Sequence, residues 1–241
     1  MTELERLEKR IRERFVKAFA TYHLLEDGDH VLAALSGGKD SLCMLEMLAR
    51  RSKIQHPQFC LEAIHVHMEN ITYETSTDYL ERFCKELEVP LHIVTASFDK
   101  LTDKRHNPCF LCSWNRRKQM FNLAQARGCN KIALGHHMDD ILHTALMNQL
   151  FQGRFGTMPA LLAMRKMPLK LIRPLCMVEE KDIRRYAELR GYERQVKLCP
   201  YENDTRRTDI RRFFEEIECM NPEARYSLWN ALNSEGKLVE E

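Results

Sequence analysis

Short apolar runs along the chain alternate with segments whose apolar residues recur at helical spacing. The runs predict strands near residues 31–35, 62–68, 91–96, 131–134 and 169–173. Between them, the helical spacing predicts helices at 41–51, 76–88, 110–127 and 139–152. Strands alternating with helices are typical of an α/β fold built on a parallel sheet, here of five strands.

The two ends of the chain have a different pattern. Residues 1–28 form a charged amphipathic segment that predicts a helix. After residue 174 the alternation stops, and helical patterns follow at 179–190, 205–219 and 222–232. We therefore expect an N-terminal helix (1–28), an α/β domain (29–176) and a helical C-terminal appendage (177–241) without a further sheet strand.

Composition indicates an ordinary globular protein. The chain has 241 residues, 44% of them apolar, which is enough for a substantial core. It has no run of eighteen apolar residues, and its charged start lacks the apolar centre of a signal peptide, so we expect a cytoplasmic protein without a membrane partner. The nine cysteines, an odd number, are then expected to be mostly reduced.

The net charge of +2 indicates no partner by itself. Residues 181–212, however, hold ten Lys and Arg against six Asp and Glu. This local excess suits either phosphate contacts or a solvated helix surface.

The sequence LSGGKDSL follows the first predicted strand and opens the next helix. Gly37 and Gly38 allow backbone N–H groups to approach an anion, and the start of the helix attracts it. Lys39 adds a positive charge, and Ser36 and Ser41 add hydroxyl donors. A tight turn without a ligand would not require these polar residues, so phosphate binding is favoured, although the Walker spacing G-x-x-x-x-G-K-[ST] is absent.

A second group of polar residues, LGHHMDD, ends the fourth predicted strand. Ligands bind at the carboxyl ends of strands in open α/β sheets, so Gly135 and His136 should face the same cleft as the first loop. Asp139 and Asp140 suit Mg²⁺, directly or through water, or a helix N-terminal cap. A cap and a metal contact are compatible: Asp139 can cap the helix while Asp140 turns toward the cleft. A dedicated zinc site is disfavoured because the segment offers no third ligand.

A third motif, PCFLCS, places Cys109 and Cys112 on one turn at a predicted helix start. The helix end and the following cations favour thiolate, the form that soft metals, clusters and sulfur transfer require. C-x-x-C alone also suits a redox dithiol or half of a zinc site. Cys199 lies in a polar loop and is the best isolated third ligand. Four other cysteines lie in apolar patterns and are expected to be buried: Cys43, Cys60, Cys84 and Cys129.

Together these motifs resemble the PP-loop ATP pyrophosphatases, and within them the tRNA 2-thiocytidine synthetases. The matching stretches are SGGKDS at 36–41, PCFLCS with RR at 108–117, LGHHMDDIL at 134–142, IRPL at 172–175, EKDIRRYA at 180–187 and LC at 198–199. The resemblance implies the adenine nucleotide alpha hydrolase-like fold, a doubly wound sheet with helices on both faces.

The resemblance also implies an ATP-dependent tRNA sulfurtransferase. Cys109, Cys112 and Cys199 would hold a [4Fe-4S] cluster, whose fourth iron stays open to sulfur. The loop 36–41 would bind the pyrophosphate of ATP, and Asp40 or Asp140 would hold Mg²⁺. Cytidine O2, at anticodon-loop position 32 in the family, would attack the α-phosphorus, and sulfide would then displace AMP. The catalytic set is thus Cys109, Cys112, Asp40 and Asp140.

The same resemblance supplies the remaining nucleotide and RNA contacts. Gly135, His136, Asp139, Asp140 and Arg173 would complete the nucleotide site. The tRNA backbone requires cations, for which the candidates are Arg116, Arg117, Lys118, Arg206, Arg207, Arg211 and Arg212. The target base would be flipped out of the loop.

Expected partners are tRNA, a sulfur donor such as a cysteine desulfurase or free sulfide, and, as one option, a second copy of the chain. Two alternatives stay open: a PP-loop sulfurtransferase acting on a uridine or a small molecule, and a non-catalytic adenine-nucleotide module with structural zinc. Lysidine synthesis is less favoured because it has no use for the cysteines.

Overall fold

The computed structural model describes residues 1–98, 108–198 and 205–240. Its helices are α1 (Glu3–Tyr22), α2 (Lys39–Ser52), α3 (Asp78–Glu86), α4 (Pro108–Arg127), α5 (Met138–Gln152), α6 (Glu180–Arg190), α7 (Thr205–Met220) and α8 (Ala224–Ser234). Its strands are β1 (Asp29–Ala34), β2 (Phe59–Met68), β3 (Thr72–Tyr73), β4 (Leu91–Ala96), β5 (Lys131–Ala133), β6 (Leu161–Ala163), β7 (Lys170–Ile172), β8 (Lys197–Leu198) and β9 (Val239–Glu240).

The main sheet has the order β4-β2-β1-β5-β7-β6-β9. Its first five strands are parallel and are the five that the apolar runs predict. The chain builds outward from β1 through β2 to β4 and then returns to β5 on the other side of β1. The carboxyl ends of β1 and β5 therefore flank the point where the strand order reverses, where open α/β sheets bind ligands.

The prediction of five strands is wrong in number, because the described residues form a seven-stranded main sheet. β6 pairs antiparallel to β7, and β9 pairs with β6 at the edge. A separate antiparallel pair joins β3 to β8. The C-terminal segment is thus not purely helical, and its strands β8 and β9, of two residues each, are too short to produce a readable alternation.

Alternation along the strands places apolar side chains on both faces of the sheet. Val31, Ala33 and Leu35 face one core, whereas Leu32 faces the other. The first core also takes the apolar stripe of α1, whose buried residues Leu7, Ile11, Phe15, Ala18 and Tyr22 recur every three or four positions. α4 covers the second core through Leu111 and Ala124. Helices on both faces confirm the doubly wound α/β prediction.

Residues of all three predicted parts contribute to the first core, including Phe15 of α1, Leu45 of α2 and Tyr186 of α6. The division into 1–28, 29–176 and 177–241 stays a prediction. Among the described residues, no helix is both long and apolar enough to cross a bilayer.

Three of the four cysteines expected to be buried, Cys43, Cys84 and Cys129, are buried. Burial raises the pKa of the Cys84 thiol to about 12 and that of Cys129 to about 11. The prediction is wrong for Cys60, which is exposed. It lies at the start of β2, and its side chain points away from the face that buries its neighbour Phe59.

A cluster around Glu62 links β1, β2, β4 and α4. Its carboxylate contacts His30 Nε2 at 2.8 Å and His92 Nε2 at 2.5 Å, and it accepts from Arg127 Nε at 3.0 Å. Burial alone would raise the pKa of Glu62, but the hydrogen bonds from Arg127, His92 and His30 outweigh it and lower the pKa to about 2.

The Glu62→Gln variant should therefore be less stable than the wild type at pH 7. A carboxyl whose pKa is lowered by folding contributes stability that is complete above its unfolded pKa, about 4.3, and is lost as pH falls toward its folded pKa. The difference in free energy of unfolding should hold from pH 7 to about 5 and shrink below pH 4.3, as urea denaturation would show.

Glu88→Gln is the matched control, because Glu88 is an exposed carboxylate paired with Lys53. Its effect should be small at every pH. A Glu62→Gln difference that stays constant down to pH 3 would contradict the assignment.

Candidate active site

The loop between β1 and α2 is braced by its own serines. Ser36 Oγ donates to Ser41 Oγ at 3.0 Å, and Ser41 Oγ donates to the Gly38 carbonyl at 2.9 Å. Gly38 is the N-cap residue of α2, and Gly37 has φ +83°. The predicted phosphate loop is thus a preformed turn at a helix N-terminus, a favourable arrangement for an anion.

A segment from far along the chain lies on this loop. Gln195 N donates to the Gly37 carbonyl at 2.9 Å. A Cβ on Gly37 would lie 2.6 Å from Gln195 Cβ. The Gln195 amide oxygen and nitrogen are buried and have no hydrogen-bond partner within the described part of the chain. Gln195 lies two residues before β8, which ends at Leu198. The segment that contacts the phosphate loop therefore leads along the chain, through β8, to Cys199.

Gly135, directly after β5, lets two backbone segments meet. A Cβ at this position would lie 3.0 Å from Ser41 N, 3.1 Å from Ser41 Cα and 3.2 Å from the Asp40 carbonyl carbon. These are rigid backbone atoms of α2, so a side chain here would push the strand end and the helix start apart. Gly135 of the LGHHMDD motif thereby allows the end of β5 to lie directly against the LSGGKDSL motif at the start of α2.

The two adjacent aspartates face different ways. Asp139 Oδ2 accepts from Glu180 N at 2.7 Å, and Asp139 Oδ1 pairs with Arg225 Nη1 at 2.7 Å. Burial opposes ionisation of Asp139, but hydrogen bonds from His137 and Arg225 keep its pKa well below the usual range. Asp139 thus anchors α6 and α8 and does not line the cavity described below.

Asp140 faces the phosphate loop. The expectation that Asp139 caps the helix is wrong, because Asp140 caps α5 by accepting from His137 N at 3.2 Å, and Asp140 also lines the cavity. His137 Nε2 lies 3.4 Å from Asp140 Oδ2 and 3.8 Å from Asp40 Oδ1. The imidazole of His137, the N-cap residue of α5, therefore lies between the carboxylates of Asp40 and Asp140.

A cavity of about 290 Å³ opens at this edge of the sheet. Its polar end holds Ser36, Asp40, Ser41 and Asp140, together with Gly135 and His136. Its apolar part is formed by Ile64, Val66, Met120 and Leu134, and His65 and Arg116 complete it. The combination of phosphate-binding donors with an apolar pocket suits a nucleotide.

His65 was not identified from the sequence as a site residue. It is 2% exposed, its Nδ1 donates to the Leu35 carbonyl at 2.8 Å, and its Nε2 is buried without a partner among the described residues. Burial lowers the pKa of His65, so the ring is neutral at pH 7 and Nε2 is an acceptor. No sequence signal distinguishes it from the other histidines of the strand.

His136 is half-buried and lines the cavity, and Arg173 is buried. Burial, followed by the charge of Arg173, lowers the pKa of His136 to about 4, so this ring is also neutral. Burial lowers the pKa of Arg173 to about 10, which leaves it charged. Its Nη1 donates to the Pro159 carbonyl, and Arg173 is not among the residues that line the cavity.

Lys39 is held between two carboxylates. Its Nζ lies 3.0 Å from Asp40 Oδ1 and 3.0 Å from Glu180 Oε1. Glu180 also pairs with Arg211 of α7. The loop cation is thereby connected to two C-terminal helices, a connection that the sequence does not reveal.

The first turn of α4 carries the C-x-x-C motif. Cys109 is exposed and Cys112 is half-buried. Arg116, one turn further along the face of Cys112, lines the cavity. Cys199 lies outside the described residues, although β8 ends at Leu198 just before it. Among 1–98, 108–198 and 205–240, no three His, Cys, Asp or Glu side chains form a metal site.

The candidate RNA cations lie on two helices. Arg117 and Lys118 of α4 are exposed. On α7, Arg206 lies over the Phe151 ring at 5.8 Å, and Arg212 lies 3.9 Å from Asp209. Arg207 is close enough to the cavity to lower the pKa of His136, after burial and other neighbours.

Comparison with known proteins agrees with this geometry. A PP-loop domain family matches residues 5–216. The tRNA-cytidine(32) 2-sulfurtransferase of Shewanella putrefaciens is 34% identical over 239 residues, covering 97% of this chain and 76% of that protein. The enzyme of the same name from Acinetobacter baumannii is 34% identical over 234 residues, covering 95% and 77%.

Among solved structures, the U34-tRNA thiolase NcsA from Methanococcus maripaludis, with its [4Fe-4S] cluster, matches with a TM-score of 0.78. It is 26% identical, and the match covers 96% of this chain and 79% of that one.

The Gly135→Ala variant should fold but bind ATP at least tenfold more weakly, a loss of about 1.4 kcal/mol, because the Cβ displaces the start of α2. Calorimetric titration with ATP would measure this, with circular dichroism as the check on folding. Gly156→Ala is the control, since a Cβ there meets nothing within 4 Å. Wild-type affinity in Gly135→Ala would refute the role of this contact.

The His65→Asn variant should keep a donor near the Leu35 carbonyl but lose the acceptor at Nε2. We expect ATP affinity to fall by about fivefold or more, the equivalent of one hydrogen bond. His67→Asn is the control, because His67 stacks on Tyr73 and does not line the cavity. Equal ATP affinity of both variants would exclude His65 from the nucleotide site.

Proposed function

This chain belongs to the PP-loop family of the tRNA-cytidine(32) 2-sulfurtransferases, and we propose that it uses ATP to replace the C2 oxygen of a tRNA cytidine with sulfur. By likeness to the relatives, the target is position 32 of the anticodon loop. The proposal is carried by one observation: Ser36 and Ser41 of the phosphate loop, the carboxylates Asp40 and Asp140, and Arg116 of the cysteine-bearing helix line one cavity, although Gly37, Gly38 and Lys39 are not among its lining residues.

The first step is adenylation of the base. Cytidine O2 attacks the α-phosphorus of ATP, and the bond from that phosphorus to the bridging oxygen breaks, releasing pyrophosphate. The N–H groups at the start of α2, with Lys39, would hold the departing pyrophosphate. Asp40 and Asp140 would hold Mg²⁺ beside it, which offsets the phosphate charge.

The second step exchanges oxygen for sulfur. A sulfur nucleophile adds at C2, and AMP leaves with the original oxygen. Adenylation is required because the unmodified oxygen is a poor leaving group. Arg116 lies one turn along α4 from Cys112 and lines the cavity, and its charge would stabilise the departing AMP.

The cysteines fit a [4Fe-4S] cluster. Cys109 and Cys112 lie on one turn of α4, on the side of the helix that leads to Arg116 and the cavity, and thiolates are the ligands that such clusters take. Cys199 would be the third ligand. When bound, a cluster with three protein ligands supplies an iron that is open to sulfur. The sulfur would come from a cysteine desulfurase or from free sulfide in the cytoplasm.

The test combines metal content with product analysis. Anaerobically purified protein should contain iron and acid-labile sulfide, and with ATP, sulfide and tRNA it should form AMP and 2-thiocytidine. Cys112→Ser should lose iron and activity. Asp140→Asn should keep its iron but form AMP more slowly, by on the order of 100-fold. Cys60→Ser, an exposed cysteine remote from the motif, is the control.

Two outcomes would replace the proposal. Formation of a 2-thiouridine instead would favour a uridine thiolase, the activity in the name of the structural neighbour. Stoichiometric zinc without AMP formation would favour a nucleotide-binding module. A strain lacking the gene that still contains 2-thiocytidine in its tRNA would exclude the specific substrate.

A further inference from the structure

One face of α4 carries exposed aromatic rings next to cations. Phe110, Trp114, Arg117 and Lys118 follow one another at positions i, i+4, i+7 and i+8 and are all exposed. Phe110 is 46% exposed and Trp114 is 57% exposed. Their ring centroids are 6.5 Å apart and their planes differ by 7°, so the rings are parallel. We call these four residues the α4 strip.

The α4 strip adjoins the active site. Cys112 and Arg116 lie on the neighbouring face of the same helix, and Arg116 reaches the cavity. A helix rises about 1.5 Å per residue, so Trp114 is only about 3 Å further along the axis than Cys112. Arg117 is near enough to Arg173 to contribute to the lowering of its pKa, behind the larger effect of burial.

The charge of α4 selects the kind of partner. Its 20 residues, PCFLCSWNRRKQMFNLAQAR, include four arginines and lysines and no Asp or Glu. Along α4 itself, the exposed aromatic rings are thus accompanied by positive charge only, which suits a polyanion. Parallel aromatic rings beside cations are the combination by which proteins hold single-stranded nucleic acid, because every base has a flat face that can stack.

We propose that the α4 strip is a stacking platform for an unpaired base of the RNA substrate, next to the base that enters the cavity. The inference rests on the proposed function for the identity of the RNA. The neighbouring base extends the Phe110–Trp114 stack, and Arg117 and Lys118 contact the flanking phosphates. The strip thereby holds the loop open at the mouth of the cavity while the target base is turned inward.

Trp114 supplies its own reporter. The chain has two tryptophans, and the other, Trp229, is 6% exposed and packs edge-on against Tyr22. A synthetic anticodon stem-loop RNA, added without ATP or sulfide, should quench the emission of Trp114 saturably. Trp229→Phe removes the buried fluorophore, and the quenching should persist in that variant.

Substitution then separates stacking from apolar contact. Trp114→Leu should weaken binding of the labelled stem-loop about 5- to 150-fold, the range that one base–aromatic stack covers. Trp114→Phe, which keeps a ring, should restore most of the affinity. Phe155→Ala, which removes an exposed aromatic ring just beyond the end of α5, should bind as the wild type does. Lys118→Ala should reduce the slope of log K against log salt by about one.

The outcomes are distinct from those that test sulfur transfer. If the RNA quenches Trp114 emission saturably but the thiolation assay fails, the stacking platform is supported and the proposed function is rejected. Equal RNA affinity of Trp114→Leu and the wild type overturns the platform. If thiolation by Trp114→Leu falls only when a desulfurase, and not free sulfide, supplies the sulfur, the α4 strip docks a protein. This result also overturns the stacking platform.

Discussion

The contact between the end of β5 and the start of α2 is the constraint on which the site depends. Gly135 and Ser41 approach so closely that a single Cβ would lie 3.0 Å from Ser41 N. This contact holds the phosphate loop and the Asp140 turn against the same cavity. The contacting atoms of both segments belong to the backbone and lie near the point where the strand order of the sheet reverses. The distance between the two segments is therefore set by strand pairing and not by flexible side chains.

The C-terminal helices complete the site through buried charge. Asp139 reaches Glu180 N and Arg225, and Glu180 in turn reaches Lys39. Each of these groups is partly or fully withdrawn from water, so removing one partner would leave an uncompensated charge. The α6 and α8 helices are thereby fixed relative to the loop, and a phosphate that enters must compete with Asp40 and Glu180 for Lys39.

Two tasks are combined on α4. Its inner face buries Leu111, its cysteines lie at the first turn, and its outer face carries the aromatic rings and cations of the α4 strip. A rigid helix keeps these groups at constant spacing. RNA held on the outer face would therefore stand in a defined position relative to the cysteines and Arg116.

The sequence by itself determined the parts that depend on contiguous residues. The five parallel strands, the helices between them and the phosphate loop follow from local periodicity and backbone chemistry, as does the placement of the C-x-x-C motif on one turn. Only the tertiary structure decided what depends on distant partners. It turned Asp139 toward Arg225, placed Asp140 and His65 in the lining of the cavity, and brought Gln195 onto Gly37. It also added β6 and β9, whose pairing energy comes from neighbouring strands and leaves almost no pattern in two or three residues.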